Sequence, residues 1–162
     1  MENPFKPLEK DPRKLLITFF AAFAAIGIVA FVQTEVRNVF LVASFGATAV
    51  LAYAVPEGPL SQPKNIFFGH LFSAVIGVTI YILLGDPWFA IALAVASAIV
   101  VMVLTGTTHP PGGATALSCV YGCYDTYEAV LWIVLFASVM IVIMLIANKG
   151  RQYCNEHPWD SD

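Results

Sequence analysis

The sequence predicts an all-α integral membrane protein of about six passes, built as two inverted three-segment repeats whose second helices are interrupted. Three observations lead there. Hydrophobic residues make up 59% of the 162 and charged residues only 12%, where soluble domains average about 45–50% and about 25%. The apolar residues gather into long runs free of charge. A Gly-Ala-Thr-Ala motif occurs twice, at corresponding places in the two halves.

The runs cover residues 15–32, 39–55, 66–84, 88–104 and 129–147, and each approaches the roughly 17–25 residues that cross a hydrocarbon core as a helix. A sixth stretch, 112–123, is apolar but too short to cross alone. Breakers separate them: 33–38, the Pro56-Glu57-Gly58-Pro59 turn running on to Pro63, and Gly85-Asp86-Pro87. The short connections around Glu35 and Asp86 require antiparallel neighbours. Residues 1–14 form an N-terminal segment, 15–148 the membrane domain (repeat one 15–84, repeat two 88–148), and 149–162 a polar tail. The first run exceeds the roughly 7–15 residues of a signal-peptide core and lacks a small-x-small site, so it reads as a retained helix. Glu2, Glu9 and Asp11 make the leading segment too acidic for an organellar transit peptide, which points to a bacterial plasma membrane.

Basic residues near span ends set the orientation. With six passes and both termini cytoplasmic, seven of the eight Lys and Arg residues fall inside and Arg37 alone falls outside. Five passes would divide them five to three, so six fits better.

The repeated motif sits in the second segment of each half, as Phe45-Gly46-Ala47-Thr48-Ala49 and Gly112-Gly113-Ala114-Thr115-Ala116. Three crossings per group make the second group enter from the opposite side, which is the plan of transporters with interrupted helices and a midplane site. Thr105 to Gly113, with Pro110 and Pro111, cannot be continuous helix, and such backbone at membrane depth must be buried by protein or line a cavity. The prolines suit a helix start, and the N–H groups of Gly112, Gly113 and Ala114 would then face the centre at the positive end of a helix dipole, which attracts anions. A similar break at Phe45-Gly46-Ala47 would set a second start opposite, with Thr48 and Thr115 adding hydroxyls. Equally, Gly-Ala-Thr-Ala can serve as a small-residue helix contact. Gly69, Ser73 and Gly77, and Ala90, Ala94 and Ala98, repeat every fourth residue as packing faces that also permit a homo-oligomer.

All eleven acidic residues lie in termini, connections or span ends. Cation carriers and carboxylate relays need a buried acid, so the pattern favours a small anion or neutral solute in a lipid bilayer, and no buried Lys or Arg supplies a fixed counter-charge. A net charge of −3 without a basic patch excludes nucleic acid as a partner. Cys119, Cys123 and Cys154 have neither disulfide nor zinc spacing, and no cofactor is expected. His109, beside the double proline, is the candidate for proton coupling or gating; its other role would be to hold the irregular loop. His70 serves equally as a second functional group or as an interhelical hydrogen bond. Ser44 with His109 as base would make a hydrolytic pair, but no acid is placed to orient the histidine, so an enzyme is not expected. Trp88, Tyr121, Tyr124, Tyr127 and Tyr153 lie near span ends as interface anchors.

Residues 107–117 (Thr-Thr-His-Pro-Pro-Gly-Gly-Ala-Thr-Ala-Leu), 43–51, 59–65 and 69–74 together resemble the HPP family of membrane proteins, named for its His-Pro-Pro signature. These blocks cover most of 39–120 in order. The resemblance implies transport of nitrite or a similar small anion, since members of that family in chloroplasts and cyanobacteria are assigned to nitrite. It also gives weight to Pro59, Gln62, Pro63, Asn65 and His70. The family is usually described with four spans, against six here. The expected transport site is thus Ser44, Phe45, Gly46, Thr48, Asn65, His70, His109, Pro110, Pro111, Gly112, Gly113, Ala114 and Thr115.

Overall fold

A computed structural model describes residues 11–36 and 40–157. Lys6, Lys10 and Arg37, which enter the orientation argument, lie outside the described residues, as do Glu2, Glu9 and the end of the tail. Among the described residues there are six helices and no strand: α1 (Pro12–Val36), α2 (Phe40–Ala54), α3 (Pro63–Leu84), α4 (Trp88–Leu104), α5 (Pro110–Tyr121) and α6 (Glu128–Glu156), with a 3-10 turn at Pro59–Ser61. Three of them are long and apolar enough to cross a membrane, over Pro12–Thr34, Pro63–Leu84 and Glu128–Glu156. Helices α2 and α5, of 15 and 12 residues, rise only about 22 and 18 Å at about 1.5 Å per residue, short of the roughly 30 Å of a hydrocarbon core. Helix α4, of 17 residues, is also short of a full crossing at about 26 Å, so the short helices are compatible with an inverted repeat but are not confined to the middle of each half.

Local chemistry explains the helix ends. Asp11 precedes Pro12 at the first helical position, and its carboxylate accepts the Arg13 N–H at 2.8 Å, a side-chain cap at a proline start. Helix α5 opens on Pro110-Pro111 with His109 extended before it, so the double proline begins a helix as the sequence predicts. Helix α4 closes in a Schellman motif. Gly106 takes φ +63°, its N–H reaches the Val103 carbonyl, and the Thr107 N–H reaches that of Met102. Helix α5 closes the same way, with Cys123 instead of glycine in the left-handed position at φ 57°.

Two expectations change. Helix α2 runs through Gly46 without a break; a Cβ built there meets nothing within 4 Å, so this glycine faces out of the packing. Helix α6 continues to Glu156, so residues 149–156 are helix rather than loose tail, with Arg151 and Cys154 buried.

Both small-residue faces are spent inside the chain. A Cβ on Gly69 would stand 2.6 Å from that of His109, and one on Gly77 would stand 2.7 Å from the Ala116 carbonyl. Helix α3 therefore lies against α5 at a distance that only glycine allows. Ala90, Ala94 and Ala98 are fully buried in a cluster with Ala116 and Val120 of α5. Outside the bundle, Phe23, Phe31, Leu83, Trp88, Leu104 and Leu131 are exposed, an apolar belt suited to lipid. Of the aromatic anchors, Tyr124 is instead buried.

The start of α1 and the end of α6 meet. Arg13 donates to the His157 carbonyl at 2.8 Å. Arg151 donates to the Thr18 hydroxyl at 2.9 Å, to the Tyr53 carbonyl at 2.8 Å and to Asn148 at 2.7 Å. The described ends of the chain thus share one end of the bundle. Lys14 and Arg151 are both buried there, so the chain does bury cations, although at the bundle's end and apart from its centre.

Candidate functional site

The centre of the molecule is a row of buried polar groups brought together by α2, α3, α5 and the turn at Pro59–Ser61. Ser44 and Thr48 stand one turn apart on the inner face of α2, His70 on the middle of α3, and Thr115 on the first turns of α5; His109 caps that helix. Ser44, Thr48, His70, His109 and Thr115 are all completely buried.

The sequence repeat takes physical form at His70. Thr48 and Thr115 occupy the same place in the two Gly-Ala-Thr-Ala copies, and their hydroxyls bracket the ring: Thr48 Oγ1 lies 2.8 Å from Nε2 and Thr115 Oγ1 lies 2.8 Å from Nδ1. The Phe45 ring stacks on the imidazole with centroids 4.7 Å apart, and Phe136 of α6 backs Phe45 edge-on. From Thr48 the row continues to His109 Nε2 at 3.1 Å, and His109 Nδ1 donates to the Leu60 carbonyl at 2.9 Å. From Thr115 it continues to Ser44 Oγ at 2.6 Å and on to the Pro111 carbonyl at 2.9 Å. A carbonyl is an acceptor only, which fixes a hydrogen on His109 Nδ1.

Asn65 holds the frame. Its amide donates to the Pro59 and Thr108 carbonyls, both at 3.0 Å, tying the turn after α2 to the loop before His109. That gives a physical role to a residue singled out only through the family resemblance.

The expected residues do not all converge. Ser44, Phe45, Thr48, Asn65, His70, His109, Pro111, Gly112 and Thr115 lie in or beside the row. Pro110, Gly113 and Ala114 instead line an outward groove of about 550 Å³ between α4 and α5, with Val95, Met102 and Leu117. Gly46 faces away. The Gly112 N–H, expected to be free, donates to the His109 carbonyl at 2.8 Å, and the two prolines before it have none to offer. The start of α5 therefore presents fewer donors than an ordinary helix start. Ser44 bonds Thr115 and Pro111 and does not reach His109, so the nucleophile and base of a hydrolase are not assembled. Sequence reasoning missed the Leu60 carbonyl, because any residue supplies one, and the burial of Arg151, because its position near the chain's end resembles a tail.

Six helices, three of them long and apolar enough to span, around a centre of histidines and hydroxyls define a polytopic membrane protein. The family model described as the HPP transmembrane region matches residues 7–154, and the chain belongs to that family. It is also similar to two transmembrane proteins of Dictyostelium discoideum. One is 34% identical over 156 residues, spanning 89% of this chain and 55% of the relative. The other is 37% identical over 162 residues, spanning 91% of this chain and 52% of the relative. The chain thus spans about half the length of these curated relatives. No solved structure matches it.

Proposed function

We propose that the protein passes a small monovalent anion, nitrite first, across a lipid bilayer by way of the centre at His70 and His109. The observation that supports this is a fully buried polar row without a single carboxylate, in a chain whose acids keep to termini, connections and helix ends. A cation would find no counter-charge there. Hydroxyls and imidazoles offer uncharged polar groups at the centre.

A second reading, passage of the neutral acid, draws on the engaged Gly112 N–H. With few free donors and no fixed cation, a solute that brings its own proton costs less to desolvate than a bare anion. The membrane in this reading is a bacterial plasma membrane with both termini inside, which accords with the meeting of the start of α1 and the end of α6. Lipid and the small anion are the partners. A second copy of the chain would have to dock through faces other than the two small-residue stripes.

Purified protein in proteoliposomes, tested with nitrite, nitrate, formate and chloride at two pH values, examines both readings. Nitrite flux above that of chloride and of empty liposomes is expected. Current carried with nitrite selects the bare anion, and electroneutral flux selects passage of one proton with each anion, as the neutral acid or as the anion on a protonated centre. His109→Gln, which keeps a donor for Leu60 but cannot carry a proton, should flatten the pH dependence of flux. No nitrite flux above empty liposomes would remove the reading.

A further inference from the structure

The row between Leu60 and Pro111 is short of hydrogens. It begins and ends on carbonyl oxygens, which only accept. Between them run six contacts: Leu60 O to His109, His109 to Thr48, Thr48 to His70, His70 to Thr115, Thr115 to Ser44, and Ser44 to Pro111 O. Two neutral imidazoles and three hydroxyls bring five hydrogens. One contact must stay empty. The side contacts, Thr48 to the Ser44 carbonyl at 3.2 Å and Thr115 to the Pro111 carbonyl at 3.3 Å, add acceptors and so deepen the deficit.

The empty place can be located. The Pro111 carbonyl also accepts the Thr115 N–H one turn on in α5, so it loses least if Ser44 does not donate to it. A gap anywhere inside the row would strand a buried imidazole or hydroxyl acceptor, which costs about 1–3 kcal/mol. Every hydrogen then points towards Leu60: Ser44 to Thr115, Thr115 to His70 Nδ1, His70 Nε2 to Thr48, and Thr48 to His109 Nε2.

We propose that His70 and His109 form a single proton-binding site, in which one added proton fills the sixth contact, charges His109 and switches the tautomer of His70. The proton, from hydronium or from a weak-acid solute, bonds to Ser44 Oγ. Ser44's own hydrogen passes to Thr115, Thr115's to His70 Nδ1, the Nε2 hydrogen of His70 to Thr48, and Thr48's to His109 Nε2. Each relay atom gains one bond and loses one. His109 ends doubly protonated, the net charge rises by one, and all five bonds beyond it now point to Pro111.

A second proton is opposed by the first, since the two rings lie 5.1 Å apart. Few other titratable groups face the pair. Helix α4 has none along its length. In α2 the Tyr53 hydroxyl is turned to the Met140 carbonyl. In α3, Lys64 and Tyr81 lie towards the two ends; in α5, Cys119 is one turn past Thr115 and Tyr121 is exposed; in α6, Glu128 is at the start, with Lys149, Arg151, Tyr153, Cys154 and Glu156 in the last turns.

This deepens the transport reading, since the loaded site supplies the positive charge that an anion lacks at the centre. Its test needs no transport, however, so the two fail separately. The 162-residue chain in nanodiscs, labelled with 15N in histidine, is titrated by NMR. At high pH, His109 should carry hydrogen on Nδ1 and His70 on Nε2. On acidification His109 should gain one proton, and in the same transition His70 should move its hydrogen to Nδ1 while remaining neutral. Thr48→Val should abolish that coupled switch and Thr48→Ser should retain it. A His70 that keeps its tautomer, two rings that charge independently, a switch that survives Thr48→Val in folded protein, or no proton uptake before unfolding would each overturn the proposal. Should Thr48→Val not fold, the wild-type and Thr48→Ser titrations decide.

Discussion

At the scale of the residue, the centre depends on hydroxyls more than on charges. His70 is held at both nitrogens by threonines, and a neutral ring must donate to one and accept from the other. Two equivalent threonines therefore play opposite parts at any moment. Thr115→Val keeps the side-chain shape but strands His70 Nδ1 and Ser44. It should lower stability by about 1–3 kcal/mol, while Thr115→Ser should stay close to wild type in chemical denaturation from detergent micelles. His109 and the two threonines could be picked from the sequence, because a His-Pro-Pro motif and a repeat are visible in letters. Leu60 could not, since its contribution is a backbone carbonyl that any residue carries.

At the scale of the element, glycine positions separate packing from conformation. Gly46 and Gly69 both sit inside apolar helices, and composition does not distinguish them. The structure does. Gly69→Ala would set a methyl 2.6 Å from the His109 Cβ, where backbone of α5 must shift, so destabilisation of about 1–3 kcal/mol is expected from overpacking. Gly46→Ala meets open space and should raise helix stability by about 0.5–1 kcal/mol. Parallel thermal melts of the two variants check this contrast. A Gly46→Ala variant that destabilises the protein would restore the break that the sequence suggests there. The repeat was legible as four letters, but its helix in the first half is continuous and in the second half begins on prolines. Proline lacks an N–H and dictates a helix boundary, whereas a lone glycine merely tolerates one.

At the scale of the whole molecule, Arg151 joins three helices by donating from α6 to Thr18 of α1 and the Tyr53 carbonyl of α2. Arg151→Ala should leave the central row intact while loosening this end. Faster hydrogen exchange over residues 13–20, with unchanged exchange near His70, is the expected result; Arg151→Lys should restore part of the protection. Protection lost equally across the chain would show that the bundle unfolds as one unit. The sequence by itself determined a helical membrane protein, its six segments, the helix start at the double proline and the absence of acids from the spans. These follow from hydropathy, from the missing N–H of proline and from the cost of burying charge, all of which act locally along the chain. Tertiary structure alone decided that Thr48 and Thr115 meet on opposite sides of one imidazole, that Gly112 has no free donor, and that a row of six contacts holds five hydrogens. Those facts depend on which groups from distant segments come within hydrogen-bonding distance, and no local pattern specifies that.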